Sequence, residues 1–134
     1  MKPKELVRVR DVMRAGIDII DGMTTISNAL IQMKNLENKM MIVDKRHDDD
    51  EYGVVRMSDI AHHVLARDRS PDRVNVYEIM TKPAITIDAS MDIRYCARLL
   101  EQLDLSRAPV IDNGKLVGVV SVTGMVLYGV RDRD

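Results

Sequence analysis

The chain contains no Phe, no Trp and only four Tyr among its 134 residues. Single-stranded nucleic acid is bound on aromatic platforms that stack its bases, and duplexes are bound by a basic face. With 20 Lys and Arg against 21 Asp and Glu, the formal net charge is −1. Neither requirement is met, so no nucleic-acid partner is expected. The single cysteine, Cys96, excludes an intrachain disulfide. It lies beside Ala97 on the apolar side of a helical pattern, where a free thiol behaves as a small buried hydrophobe. No local motif supplies the His and orienting partner of a catalytic thiol. The longest apolar stretch, residues 117–130, is broken by Ser121, Thr123 and glycines and is too short to cross a bilayer. The opening residues are too charged for a signal peptide. The expectation is a cytoplasmic protein with no membrane partner.

What is present is repetition. Asp11-Val12-Met13 returns as Glu78-Ile79-Met80, so that Met13 and Met80 are 67 residues apart. Each Met is followed by a short apolar stretch, at residues 17–21 and 84–88, and then by a helical pattern, at 26–33 and 93–100. Each copy continues with an apolar run closed by Asp44 or Asp112, then a Gly-led run, Gly53-Val54-Val55 or Gly118-Val119-Val120. Internal repetition of this kind fixes an architecture before any single element is assigned. At 46% hydrophobic and 31% charged, the chain has the composition of one globular domain built from two such copies. Ten Met take the bulky core role that Phe usually shares.

The β-branched stretches at 17–20 and 84–87 read as strands. Thr24 or Thr25 can cap the helix that follows, with its apolar stripe at Ile26, Leu30, Met33 and Leu36. The counterpart helix starts near Ser90 and carries Ile93, Cys96 or Ala97, Leu100 and Leu103. Asn113-Gly114 between residues 108–112 and 115–120 is a strong two-residue hairpin signal, since both positions tolerate positive φ. The first copy has strands at 41–44 and 52–55, joined by a longer loop. Helices are expected at 58–66 and 122–128. Each copy is therefore βαββα, and the class is α/β (α+β). The repeats span residues 9–68 and 76–130, joined by a polar linker at 69–75.

This order of motifs, with Arg107-Ala108-Pro109-Val110-Ile111-Asp112 among them, resembles the paired CBS domain, or Bateman module. The resemblance covers about residues 9–130. It implies tandem βαββα repeats related by a pseudo-two-fold axis, acting as a stand-alone regulatory module rather than an enzyme. It also implies an adenosine-type ligand, such as AMP, ADP, ATP or S-adenosylmethionine, in clefts between the repeats. No cofactor is required. The family's ligand pattern closes its last strand with Gly-x-x-Ser/Thr-x-x-Asp. Here the first copy reads Gly53-Val54-Val55-Arg56-Met57-Ser58-Asp59, with Asp59 placed for ribose hydroxyls but Arg56 in the hydroxyl position. The second reads Gly118-Val119-Val120-Ser121-Val122-Thr123-Gly124, with the hydroxyls and no acid.

Each candidate has a structural alternative. Asp59 either holds a vicinal diol or caps a helix N-terminus. Arg56 either contacts phosphate or fills the nucleotide's place. Arg107 offers planar donors to a phosphate, or forms a surface ion pair. Lys39 is taken as its first-copy equivalent. By resemblance, Ile17 in one copy and Lys82, Ala84 and Thr86 in the other line the pocket for the base. The run from His47 to Glu51 reads as a hydrated hairpin tip rather than a metal site. His62 and His63 diverge on a helix and cannot share one metal. The expected partners are a nucleotide, a second copy of the chain and a regulated protein. The alternative reading is a structural dimerisation module with no ligand.

Overall fold

A computed structural model describes residues 6–132. The chain divides into two compact units: Ile17–Ala84, here the repeat-one unit, and Met1–Gly16 with Ile85–Asp134, the repeat-two unit. In chain order, the regular elements begin with α1 (Val9–Val12), β1 (Ile19–Ile20), α2 (Ile26–Gln32), β2 (Met40–Val43), β3 (Gly53–Arg56) and α3 (Met57–Ile60). They continue with β4 (Ile87–Asp88), α4 (Ile93–Gln102), β5 (Arg107–Asp112), β6 (Lys115–Ser121) and α5 (Val122–Gly124).

The repeat-one sheet runs β1-β2-β3, with β1 parallel to β2 and β3 antiparallel to it. The repeat-two sheet, β4-β5-β6, has the same senses. The βαββα reading holds in both copies. The first strands are shorter than expected: residues 17–18 and 84–86 run ahead of the paired stretches Ile19–Ile20 and Ile87–Asp88. Asn113 and Gly114 turn the β5–β6 hairpin with φ of 50° and 77°. Thr25, not Thr24, caps α2 by accepting from the Asn28 N–H at 3.2 Å. The helix stripe is also corrected. Leu30 and Leu36 are exposed, and α2 buries Ile26 and Ala29 with Met33 behind them. In α4, Ile93, Cys96 and Leu100 are buried, whereas Ala97 and, just past the helix, Leu103 are exposed.

The helices closing each repeat begin as α3 and α5 and then widen into π-type turns at Ala61–Leu65 and Met125–Arg131. The Ala66 N–H donates to the Ala61 carbonyl at 2.8 Å, a five-residue step.

Each unit has its own core, and each core takes in the opening segment of the other sequence repeat. Val9 and Val12 pack with Ile87, Ile93, Cys96, Leu100 and Val110. Val74, Val76 and Ile79 pack with Ile26, Ala29, Met41 and Val55. Backbone bridges hold these segments in place. Arg14 and Val119 exchange N–H···O bonds of 2.9 Å, and Thr81 and Val54 do the same at 2.8 and 2.9 Å. The approach is close enough that a Cβ on Gly118 would run into the Arg14 carbonyl, while one on Gly53 would lie 2.9 Å from Met80 Sδ and 3.2 Å from the Thr81 oxygen. Those two glycines lead the repeated runs for this reason.

Candidate functional site

In the repeat-one unit, the candidates gather where β3 passes into α3. Arg56 ends the strand and stands just before the helix. Its N–H donates to Asp59 Oδ2 at 2.8 Å, and its guanidinium lies 3.8 Å from the same oxygen. Asp59 thus occupies the third helical position and caps the helix, with each of these side chains 21% exposed. Ser58 is exposed on the same turn. Lys39 joins the group through its backbone: its carbonyl accepts from the Met57 N–H at 3.0 Å, and its φ of 56° turns the chain into β2.

The repeat-two unit handles the same junction differently. Ser121 is the residue before α5, and its hydroxyl accepts from the Gly124 N–H at 2.9 Å. Arg107 pairs with Ser121 across β5 and β6, and its Nε donates to Ser106 Oγ at 3.3 Å. Thr123 is exposed on the first turn, and Thr86 is exposed just ahead of β4. The register corrects one equivalence. Met40 opposes Arg56, and Arg107 opposes Ser121; the Lys39 carbonyl receives Met57 N–H as the Ser106 carbonyl receives Val122 N–H. Lys39 therefore corresponds to Ser106, and the counterpart of Arg107 is the buried Met40.

Ile17 precedes β1 and lines a groove of about 500 Å³ with Ile19, Ile31 and Lys34. Asp18, beside it, accepts from the Lys34 and Asn35 N–H groups, each at 2.9 Å, and so ties down the exit of α2. Ala84 N–H donates to the Tyr52 carbonyl at 2.7 Å. Lys82 Nζ donates to Asp50 Oδ2 at 2.8 Å.

His47, Asp48, Asp49 and Glu51 are exposed, as expected of a hydrated tip, and that last contact takes Asp50 alone out of it. The Asp50 side chain is only 8% exposed and is bonded to both Arg46 and Lys82. The Arg46 guanidinium first, then the Lys82 ammonium, hold its carboxyl far below the usual carboxylate range. Among the described residues no group of three His, Cys, Asp or Glu is placed to hold a metal ion. His62 and His63 stack edge to face, 4.7 Å between centroids. Burial pushes the Cys96 thiol up to about 11, consistent with a core residue rather than a nucleophile. No described helix is long and apolar enough to cross a membrane.

Two further acids cap helices as Asp59 does. The Arg8 N–H donates to Asp11 Oδ2 at 2.9 Å, and the Asn75 N–H donates to Glu78 Oε2 at 2.7 Å. Their signal was in the repeat itself, an acid three residues after the start of each opening turn.

The CBS domain family model matches residues 76–129. A hexameric CBS-CP12 protein from bloom-forming cyanobacteria superposes with a TM-score of 0.84 at 34% identity, over 90% of this chain and 70% of that one. A protein of Methanopyrus kandleri is 30% identical over 120 residues, 87% of this chain, and this chain spans 59% of that relative's length. A CBS domain protein from Pyrobaculum aerophilum, solved in complex with AMP, has the same fold at 19% identity, with a TM-score of 0.74 over 89% of this chain and 90% of that one. The two βαββα copies and these likenesses agree: the chain belongs to the CBS domain family, as a tandem pair.

Proposed function

We propose that the protein is a regulatory module that binds an adenosine-type nucleotide. The observation that carries this reading is the β3–α3 junction, which gathers an acid, a hydroxyl and a guanidinium on one turn, with the Lys39 carbonyl bonded to it. Asp59 is anchored through Oδ2, which leaves Oδ1 to accept from a ribose diol. Ser58 adds a hydroxyl, and Arg56 and Lys39 add positive charge for phosphate. Ile17, Lys82 and Ala84 lie on backbone flanking the sheet, where apolar walls and amides suit an adenine edge. Arg107, Ser121, Thr123 and Thr86 form a reduced version with no acid for the ribose, so we assign it the weaker affinity. The AMP complex of the Pyrobaculum relative supports the ligand class. AMP, ADP, ATP and S-adenosylmethionine are the compounds to screen. We assign the protein no catalytic step.

We also assign it self-association as a homodimer, with a regulated protein reading the bound state. Leu65, Val126 and Val130 on the widened helices are 78%, 53% and 54% exposed, and such residues mark contacts between chains. Light scattering at micromolar concentration should give twice the 15.2 kDa monomer mass.

A second reading, a structural module with no ligand, is favoured by the capping itself. Asp59 and Ser121 already serve helix ends without any ligand. Thermal shift and calorimetry separate the two. A ligand at a hundred times its Kd adds about 2.7 kcal/mol of stability. Asp59→Asn keeps an oxygen for the Arg56 N–H but loses the charge, and it should weaken the best ligand by about 10-fold or more. Unchanged affinity removes Asp59 from the ribose role. No binding by any of the four compounds establishes the structural reading.

A further inference from the structure

Away from the β3–α3 junction, the repeat-one unit carries an open groove of about 500 Å³ along β1 and the end of α2. Of the nucleotide candidates only Ile17 lines it. Its apolar walls are Ile17, Ile19 and Ile31, the last two 45% and 80% exposed. Two opposite charges, Asp18 and Lys34, line it as well. The Asp18 carboxylate accepts one backbone bond at each oxygen, from the Lys34 and Asn35 N–H groups at 2.9 Å. An ionised carboxyl has about four lone-pair sites, so about half of its capacity is left over. The Lys34 ammonium forms no ion pair among the described residues, even with the carboxylate bonded to its own main chain. The edge of the sheet adds backbone groups, since β1 is its outermost strand. The Asp18 and Ile20 carbonyls accept from the Ile42 and Asp44 N–H groups at 2.8 Å, so Ile19 between them turns its own N–H and carbonyl away from β2. Repeat two keeps none of these chemistries. In it, 67 residues on, Asp18 is replaced by Ile85, Ile19 by Thr86, Ile31 by Arg98 and Lys34 by Glu101.

We propose that this groove binds a free α-amino acid with a branched apolar side chain. Such a molecule carries an ammonium and a carboxylate on one carbon, the charge complement of Asp18 and Lys34, and an aliphatic group for the three isoleucines. Lys34 takes the carboxylate together with the Ile19 N–H, and the spare lone pairs of Asp18 take the ammonium. The side chain withdraws exposed apolar surface of Ile19 and Ile31 from water. A simple carboxylic acid would leave Asp18 unpaired beside it, and a simple amine would leave Lys34; an unpaired charge at a covered site is the costlier arrangement. The groove's volume lies within the range of small-molecule sites, about 300–1,000 Å³. The proposal does not rest on the adenosine reading.

The test is calorimetry on the full chain with leucine as the probe. Leucine should bind the parent. Isocaproate, which lacks the ammonium, and isoamylamine, which lacks the carboxylate, should each bind at least about tenfold more weakly, the low end for a lost hydrogen bond to a charged group. Ile31→Arg installs the repeat-two residue at a position 80% exposed, where the fold tolerates it, and should weaken leucine by a similar factor. In NMR spectra of the parent, leucine should displace the amide signals of Ile19, Ile31 and Lys34. No leucine binding, equal binding of either analogue, or unchanged affinity in Ile31→Arg overturns the proposal. Displacements confined to the β3–α3 turn overturn it too, and assign leucine to the nucleotide site. Adenosine, titrated separately, keeps the two readings apart: adenosine binding without leucine binding overturns this proposal alone.

Discussion

In repeat one, the helix after the last strand is capped by an acid at its third position; in repeat two, by a hydroxyl just ahead of its first. A capping box joins both devices, the leading hydroxyl accepting from the third N–H and the third side chain accepting from the leading N–H. Here the box is split. Asp59 takes the Arg56 N–H and Arg56 has no oxygen to return, while Ser121 takes the Gly124 N–H and Gly124 has no side chain to return. The residues that make each copy depart from the family's ligand pattern are the missing halves of the box. One substitution at each junction therefore changes local stability and ligand chemistry together. A second contrast lies in the hairpins, where repeat one has the Asp50–Lys82 pair and repeat two a bare turn.

The largest test of the two-unit comparison concerns the exchanged opening segments. Ile79 is 7% exposed within the repeat-one core. Ile79→Ala should cost about 2–5 kcal/mol and speed amide exchange in β2 and β3 before β5 and β6. Val12→Ala should do the reverse, at smaller cost. Exchange rising first in the residues nearest in sequence would break the assignment of segments to cores.

Next come the glycines. At Gly118 an added Cβ meets the Arg14 carbonyl, a backbone atom already committed to a bridge, whereas at Gly53 the nearest atom is the flexible Met80 sulfur at 2.9 Å. Overpacking of this kind costs about 1–3 kcal/mol. We expect Gly118→Ala at the upper end and Gly53→Ala at the lower, measured by urea unfolding. Equal costs would mean that the two segments are held with equal rigidity.

Much of this was legible in the residues. The repeat, the βαββα order and the Asn113-Gly114 turn follow from patterning and φ preferences alone. The partner of each opening segment did not, because a single helical turn carries no period that says which core it joins. Asp50 was hidden for a related reason. Consecutive acids read as hydrated until a cation 32 residues away is brought to one of them. The one-residue error in equating Lys39 with Arg107 came from comparing motifs by composition, whereas the strand register that aligns them depends on the pairing partner. Of the candidate site, the turn carrying Arg56, Ser58 and Asp59 is legible in the motif, but its capping bonds depend on the path of the backbone at the strand's end.

The cysteine offers a test at one position. Cys96 in α4 corresponds to Ala29 in α2, 67 residues earlier, and both are fully buried. Burial raises the folded thiol from 9.0 to about 11. The unfolded chain therefore loses this proton first. The thiol's contribution to stability is complete below pH 9 and is lost as pH climbs toward 11, by about 2 kcal/mol. Urea midpoints across this range should fall more steeply for the parent than for Cys96→Ala, which makes the position like Ala29. Parallel curves would mean that the thiol ionises as freely in the fold as in the unfolded chain.

The smallest effect is the most informative about the split box. Ser121→Ala removes the acceptor of the Gly124 N–H and should cost about 1 kcal/mol. Restoring the missing halves should not be symmetric. Gly124→Asp has to place a Cβ 3.0 Å from Ser121 Oγ and 3.6 Å from the Val12 carbonyl at a buried position, so any gain from the added acid is opposed by crowding against the hydroxyl it would complement. Arg56→Ser meets no such obstacle. It gives up an ion pair of 3.8 Å between groups 21% exposed, worth about 0–1 kcal/mol, and gains a leading hydroxyl of about the same value. Its net effect on stability should lie within about 0.5 kcal/mol of zero. Ligand binding then separates the two roles of Arg56. If the guanidinium occupies the nucleotide's place, Arg56→Ser should tighten AMP and adenosine alike. If it contacts phosphate, the variant should weaken AMP and leave adenosine unchanged.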